Sequence, residues 1–311
     1  MRRENLTVEK DGFYGAYYPC LEVESHTTMI YMLGNSTTGF LVNMGVRWLQ
    51  DFHLNVLVLA PEPKKQGFYD IEIKQFNHVF TYLRKQQQIK FGIAGGSATA
   101  MFAMLVASYY PAITLTLAFT PCDFVMEGYY RDGLDGAKER PSDHHSFAMY
   151  DGQALPYLPF AYRHPQYWKM IKKASRKTHN MISTIAMFEE SEKRVPLTKE
   201  MMIQIENIKG TLILVGASDD CLWNTCKYIA RMKQRLEKKQ STLICKIFTY
   251  EYGTHFLFPQ SMLKKGLSFF SDIVVLAFAS GRKHYRQCKK SRIDVDVKIQ
   301  AEIKTWIQSN I

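Results

Sequence analysis

At 311 residues, with 46% hydrophobic and 13% aromatic residues, the chain has ample material for a large packed core, which excludes intrinsic disorder. The 40 Lys and Arg against 29 Asp and Glu give a formal charge of +11, but the basic residues are scattered apart from 169–177 and 282–292. No aromatic ribonucleoprotein motif or helix-turn-helix pattern accompanies them, so nucleic acid is not an expected partner.

The first residues lack the apolar run of a signal peptide, so a cytoplasmic location is expected. Cys20, Cys122, Cys221, Cys226, Cys245 and Cys288 form no C-x-x-C pair and read as reduced, mostly structural thiols.

In chain order, Asp11–Pro19 alternates aromatic and small residues and predicts a first, edge-type strand ending at the proline. Thr27–Leu33 is the next strand, closed by Gly34-Asn35-Ser36, with a helix over about 38–52. Leu54–Leu59 is a short buried strand stopped by Pro61. Ile71, Ile73, Phe76, Val79, Phe80 and Leu83 make one stripe of a helix over about 69–85. The uncharged run from Phe91 to Cys122 is divided by Gly92, Gly95, Gly96 and Pro111 into strand, helix and strand. Each is too short to cross a membrane, and a buried parallel strand with its covering helix gives the same pattern, so no membrane partner is expected.

Between 121 and 209 charge, aromatics and turn residues replace this alternation, with helices expected near 166–182 and 198–206. Structureless connections beyond ~15 residues are unusual, so the segment reads as a cap inserted in a single domain over 1–311. The alternation then resumes with strand Thr211–Val215, a helix over 224–238, strand Ser241–Tyr250 and C-terminal helices including about 295–308. Strand–helix alternation of this kind predicts a mostly parallel, doubly wound α/β sheet.

The chemistry concentrates in Lys90–Ala100, where an apolar strand runs into Gly95-Gly96-Ser97-Ala98-Thr99 and a helix of small residues. That is the layout of a nucleophile elbow, in which a tight strand–turn–helix bend exposes a strained serine, here Ser97. A Gly-rich turn that only packs strand on helix, or cradles a phosphate, would read the same in isolation. A dinucleotide fingerprint fits less well, because the G-x-G-x-x-G spacing and the later acidic residue are both missing.

A serine needs a base to take its proton and an acid to orient that base. Asp219 and Asp220 follow the Thr211–Val215 strand, and His255 follows the last strand. Serine, acid and histidine thus come in order, each just past a separate strand, at the sheet edge where such folds bind ligands. The carboxylates could instead cap the helix near Asn224, and His255 could be an ordinary loop histidine. The oxyanion hole is expected from the backbone N–H of Ala98 and one N–H near Gly34 or Asn35. Asp143-His144-His145 lacks further ligands at a recognisable spacing, so no metal and no cofactor is expected.

With Ser97, Asp220 and His255 in place, the chain resembles the α/β-hydrolase superfamily from about Gly12 onward. More narrowly it resembles the branch of dienelactone hydrolases and the C-terminal domain of acyl-CoA thioesterases and bile acid-CoA:amino acid N-acyltransferases. Gly95-Gly96-Ser97-Ala98, Tyr250–His255 and Asp219-Asp220-Cys221-Leu222-Trp223-Asn224-Thr225 carry this likeness, the last being similar to the family's D-D-x-x-W-x-S segment. The Asp-x-x-Trp spacing favours Asp220 over Asp219 as the acid.

The resemblance implies hydrolysis of an ester or thioester, since acyltransferases of the family tend to use cysteine where Ser97 stands. If the substrate is an acyl-CoA, Arg282-Lys283-His284-Tyr285-Arg286 is a candidate contact for its phosphates. Thr99 departs from the usual glycine, and no N-terminal β-domain like that of the animal enzymes is expected from these residues. A carboxylesterase or peptidase of the same fold, or a non-catalytic binding protein, are the competing readings, and self-association is left open.

Overall fold

The runs rich in valine, isoleucine and leucine assemble one eight-stranded sheet in a computed structural model that describes residues 2–34, 36–62, 67–130, 145–162, 166–266 and 270–309. Its strands are β1 (Glu4–Leu6), β2 (Gly15–Tyr18), β3 (Thr27–Met32), β4 (Asn55–Leu59), β5 (Lys90–Gly96), β6 (Ile113–Phe119), β7 (Thr211–Ala217) and β8 (Ile244–Tyr250). The spatial order is β1-β2-β4-β3-β5-β6-β7-β8, parallel from β4 to β8 and antiparallel at β1–β2 and β2–β4. The doubly wound, mostly parallel architecture expected from the alternation is therefore present.

Both faces are covered, which is why the central strands are buried along nearly their whole length and mostly apolar. α2 (Phe76–Lys85), α3 (Ala98–Tyr109) and α6 (Thr225–Lys238) share one core with the sheet, and α1 (Phe40–Gln50) and α7 (Tyr285–Gln308) share the other. α3 is buried at every position from Ala98 to Ala107, so it shows no polar face, whereas α6 buries only one stripe through Tyr228, Ile229, Met232 and Leu236.

Three expectations are corrected by long-range pairing. The edge strand is β1, not the Asp11–Pro19 stretch; only Leu6 of its residues is buried, so no alternation advertised it. The 69–85 helix begins only at Phe76, because Ile71–Glu72 pairs with Ala148–Met149 and a 3-10 turn over Ile73–Gln75 follows. The Glu72 carboxylate accepts from Lys74 N at 2.8 Å and Gly152 N at 2.9 Å, locking that turn. Finally, 198–206 forms no α-helix: Met202 bridges Phe124, Ile203 N donates to Asp123 O at 3.0 Å, and only Ile205–Asn207 is a 3-10 turn. Those partners claim backbone groups that a helix needs.

In the 121–209 segment the structure has α4 (Gln166–Thr178), close to expectation, and α5 (Ile185–Arg194), which was not anticipated. α5 buries Met187, Phe188 and Ser191, and its start is tied to the loop after β7 by Thr184 N to Cys221 O at 3.1 Å and Thr184 Oγ1 to Leu222 O at 2.6 Å. A partly buried cluster of one arginine and two carboxylates adds a second tie. Arg231 of α6 donates to both carboxylate oxygens of Asp123, at 2.5 and 2.8 Å, and to Glu192 of α5 at 2.7 Å.

Candidate active site

β5 ends at Gly96 and α3 begins at Ala98, which leaves Ser97 alone in the bend at φ 60° and ψ −129°. A side chain in this region costs ~1–3 kcal/mol and persists only where surroundings enforce it. Two features enforce it here. Ser97 N donates to Phe119 O of β6 at 2.8 Å, and a Cβ on Gly95 would lie 2.2 Å from the Thr99 carbonyl oxygen, so only glycine lets the helix return this closely.

The loops after β7 and β8 bring the other two residues to the same edge. Ser97 Oγ lies 2.8 Å from His255 Nε2, and His255 Nδ1 lies 2.8 and 3.0 Å from the Asp220 oxygens. A carboxylate only accepts, so Nδ1 carries the proton and Nε2 is left as the acceptor for the serine hydroxyl. His255 is 2% and Asp220 4% exposed, which keeps water from competing for these bonds.

The two candidate acids have separate tasks. Asp220 faces the imidazole and also accepts from Leu222 N at 2.9 Å and Thr225 Oγ1 at 2.5 Å. Asp219 instead accepts from Gly253 N at 2.9 Å, Thr254 N at 2.8 Å and Ser280 Oγ at 2.6 Å. It thereby fastens the backbone just before the histidine to its own loop. The helix-cap reading of the carboxylates gives way as well, since the Asn224 side chain caps α6 by accepting from Lys227 N at 3.1 Å.

Trp223 stands edge-on to His255 with ring centroids 5.1 Å apart, and its indole N–H donates to Thr120 O at 3.1 Å. On its other side it meets Phe188 of α5 at 5.2 Å. Sequence reasoning used Trp223 and Thr225 only as spacing marks; their contacts with His255 and Asp220 depend on a loop path that spacing does not reveal.

Ser97 and His255 open on a cavity of about 1210 Å³. Gly34, Ala98, Met126, Tyr129, Phe160 and Phe188 are among its apolar or small lining residues, and α4 contributes Lys172 and Arg176. Ala98 is the first residue of α3, where helix N–H groups have no partner within the helix, and Gly34 follows β3 at φ 81°. Asn35, the other candidate donor, lies outside the described residues. A second cavity of about 500 Å³ shares Phe68 and Thr99 with this one but contains no member of the Ser97–His255–Asp220 array.

Other sequence candidates fall elsewhere. Asp143 and His144 lie outside the described residues, and His145 pairs with Asp70 at 2.6 Å; no group of three or more His, Cys, Asp and Glu suited to a metal occurs among the described residues. Burial pushes the Cys221 thiol up to about 12, with Asp220 adding to the shift, so this cysteine is no thiolate. The Arg282 guanidinium is taken up by the carbonyls of Leu276 and His179, which weakens the 282–286 run as a phosphate contact. No helix among the described residues is long and apolar enough to cross a membrane.

This strand order, with a serine elbow after β5, an acid after β7 and a histidine after β8, defines an α/β-hydrolase fold carrying serine-hydrolase geometry. Residues 71–271 match the family described as BAAT / Acyl-CoA thioester hydrolase C terminal, and the chain belongs to that family. No curated protein matches it. Among solved structures it is similar to a putative dienelactone hydrolase from Klebsiella pneumoniae subsp. pneumoniae, at 12% identity, TM-score 0.49 and 99% of each chain covered. It is also similar to an esterase of Pyrococcus furiosus (12% identity, TM-score 0.45, 78% of each chain). The esterase domain of a Rhodothermus marinus protein is a third (12% identity, TM-score 0.44, 91% of this chain and 99% of that one).

Proposed function

We propose that the protein is a serine hydrolase of acyl thioesters or esters, with acyl-CoA-like substrates the favoured class. Ser97 attacks the acyl carbonyl as His255 Nε2 takes its proton, and Asp220 holds the imidazole in that tautomer. The backbone N–H of Ala98 and an N–H of the loop after β3, at Gly34 or Asn35, stabilise the oxyanion. His255 then protonates the leaving thiol or alcohol, and water, deprotonated by the same imidazole, releases the acyl group from Ser97. The observation that carries this reading is the unbroken relay from Ser97 Oγ through His255 to Asp220.

The 121–209 segment acts as a cap within one domain, and its apolar residues receive the acyl chain. Family membership and the cationic rim formed by Lys172 and Arg176 support an anionic leaving group of the CoA type. A fluorophosphonate probe tests the class: wild type is labelled and Ser97→Ala is not. An unlabelled wild type, or equal labelling of both, overturns the reading. A panel of acyl-CoAs, short p-nitrophenyl esters and aminopeptidase substrates then separates thioesterase from esterase and peptidase, and inactivity on every thioester removes the acyl-CoA assignment.

A further inference from the structure

Thr99 is buried in the elbow, and the triad makes no use of it. Its hydroxyl accepts from Gly96 N at 3.1 Å and lies 2.8 Å from two carbonyl oxygens, those of Met32 and Gly96. A hydroxyl has one proton, which these two carbonyls share. The position is distinctive because the paired register of β3 and β5 ends at Met32 opposite Gly95. Beyond that pair β3 turns away towards Gly34 and β5 bends into Ser97. At this point the winding also reverses, since β3 leads outward to β4 on one side and β5 to β6 on the other. The Thr99 side chain bonds the two strand ends together where their backbones stop doing so.

We propose that Thr99 is a positioning residue that sets the separation of the two oxyanion donors. This rests on the hydrolase reading above. Thr99 is the second residue of α3 and moves with Ala98, which carries one donor. Its bond to Met32 leaves Leu33 as the single residue between that anchor and Gly34, where the loop carrying the other donor begins. Ala98 is thus the residue before Thr99, and Gly34 lies two residues beyond the Met32 carbonyl that the same hydroxyl holds. Stabilisation of a developing oxyanion requires donors ~2.7–3.1 Å from its final position, so the gap between the two peptide segments enters the rate directly. The hydroxyl touches no reacting atom and acts only through the backbone.

The test uses the full chain with Thr99→Val, which keeps the shape and removes the hydroxyl, Thr99→Ala as a smaller second variant, and Thr99→Ser as the rescue. Active sites are titrated so that kcat refers to folded enzyme alone, and p-nitrophenyl butyrate is the substrate. We expect Thr99→Val and Thr99→Ala to lose about 10- to 100-fold in kcat with KM changed by less than about twofold, and to react more slowly with the fluorophosphonate. Thr99→Ser recovers most of kcat. A kcat within about twofold of wild type in either hydroxyl-free variant, or Thr99→Ser as slow as Thr99→Val, overturns the inference. The two readings fail differently. A wild type that neither labels nor hydrolyses sinks the hydrolase assignment, whereas an active wild type matched by Thr99→Val sinks only the role of Thr99.

Discussion

β5 and β7, which carry Ser97 and the acid loop, are buried almost end to end and paired to a neighbouring strand on both sides, with one register shift at Phe91/Gly92, while the 121–209 segment across the cavity is held by short bridges, loop bonds and ion pairs. The difference divides the work. The Ser97–His255–Asp220 geometry sits at the ends of sheet strands, and the surfaces that enclose the cavity opposite it sit on short helices and irregular backbone. His255 is the intermediate case. It follows β8, an edge strand with no fully buried residue, and Asp219 supplies by hydrogen bonds the rigidity that the strand lacks.

The sharpest break of this comparison is at the sheet edge. Asp220→Asn should lower kcat about 10³- to 10⁴-fold with little change in KM, because the amide favours the wrong imidazole tautomer. Asp219→Ala should cost about tenfold in kcat and ~1–3 kcal/mol of stability, having left two backbone N–H groups without their acceptor. Steady-state kinetics and denaturant melts on both variants check the pair; equal kinetic losses would mean that the two carboxylates are not divided as described.

On the opposite side the expected losses are in stability and affinity. Arg231→Met strands the Asp123 carboxylate, whose side chain is 2% exposed, and should cost ~3 kcal/mol. Its kcat on a small ester should stay near wild type, and a proportionate fall in kcat would show that the segment shapes the chemistry as well as the enclosure. The smallest effect is at the rim. Arg176→Glu should raise KM for an acyl-CoA about tenfold and leave KM for a neutral p-nitrophenyl ester unchanged.

The site was largely legible because its three residues obey a local rule: each stands just past a strand that hydrophobic pattern alone can find. Ser97 and His255 follow from that rule, which leaves Asp219 and Asp220 both open as the acid until the resemblance favours Asp220. Thr99 was legible only as an anomaly, since the carbonyl it reaches belongs to Met32, far away along the chain. The same reason explains β1 and the false helix at 198–206, where partners such as Tyr17, Asp123 and Phe124 decide the backbone. Local propensity contains no term for them.

The φ of 60° at Ser97 also bears on what holding a serine in this bend costs the fold. Glycine relaxes in that conformation, whereas alanine keeps the strain, so two equally inactive variants should differ in thermal resistance. Ser97→Gly should unfold at a higher temperature than Ser97→Ala, by the equivalent of about 1 kcal/mol after glycine's greater freedom in the unfolded chain is deducted. Differential scanning calorimetry of the two measures how much stability the protein gives up to hold a side chain in this bend. Identical melting would mean that the bend is relaxed for any small residue, and that activity and stability are not in conflict at this position.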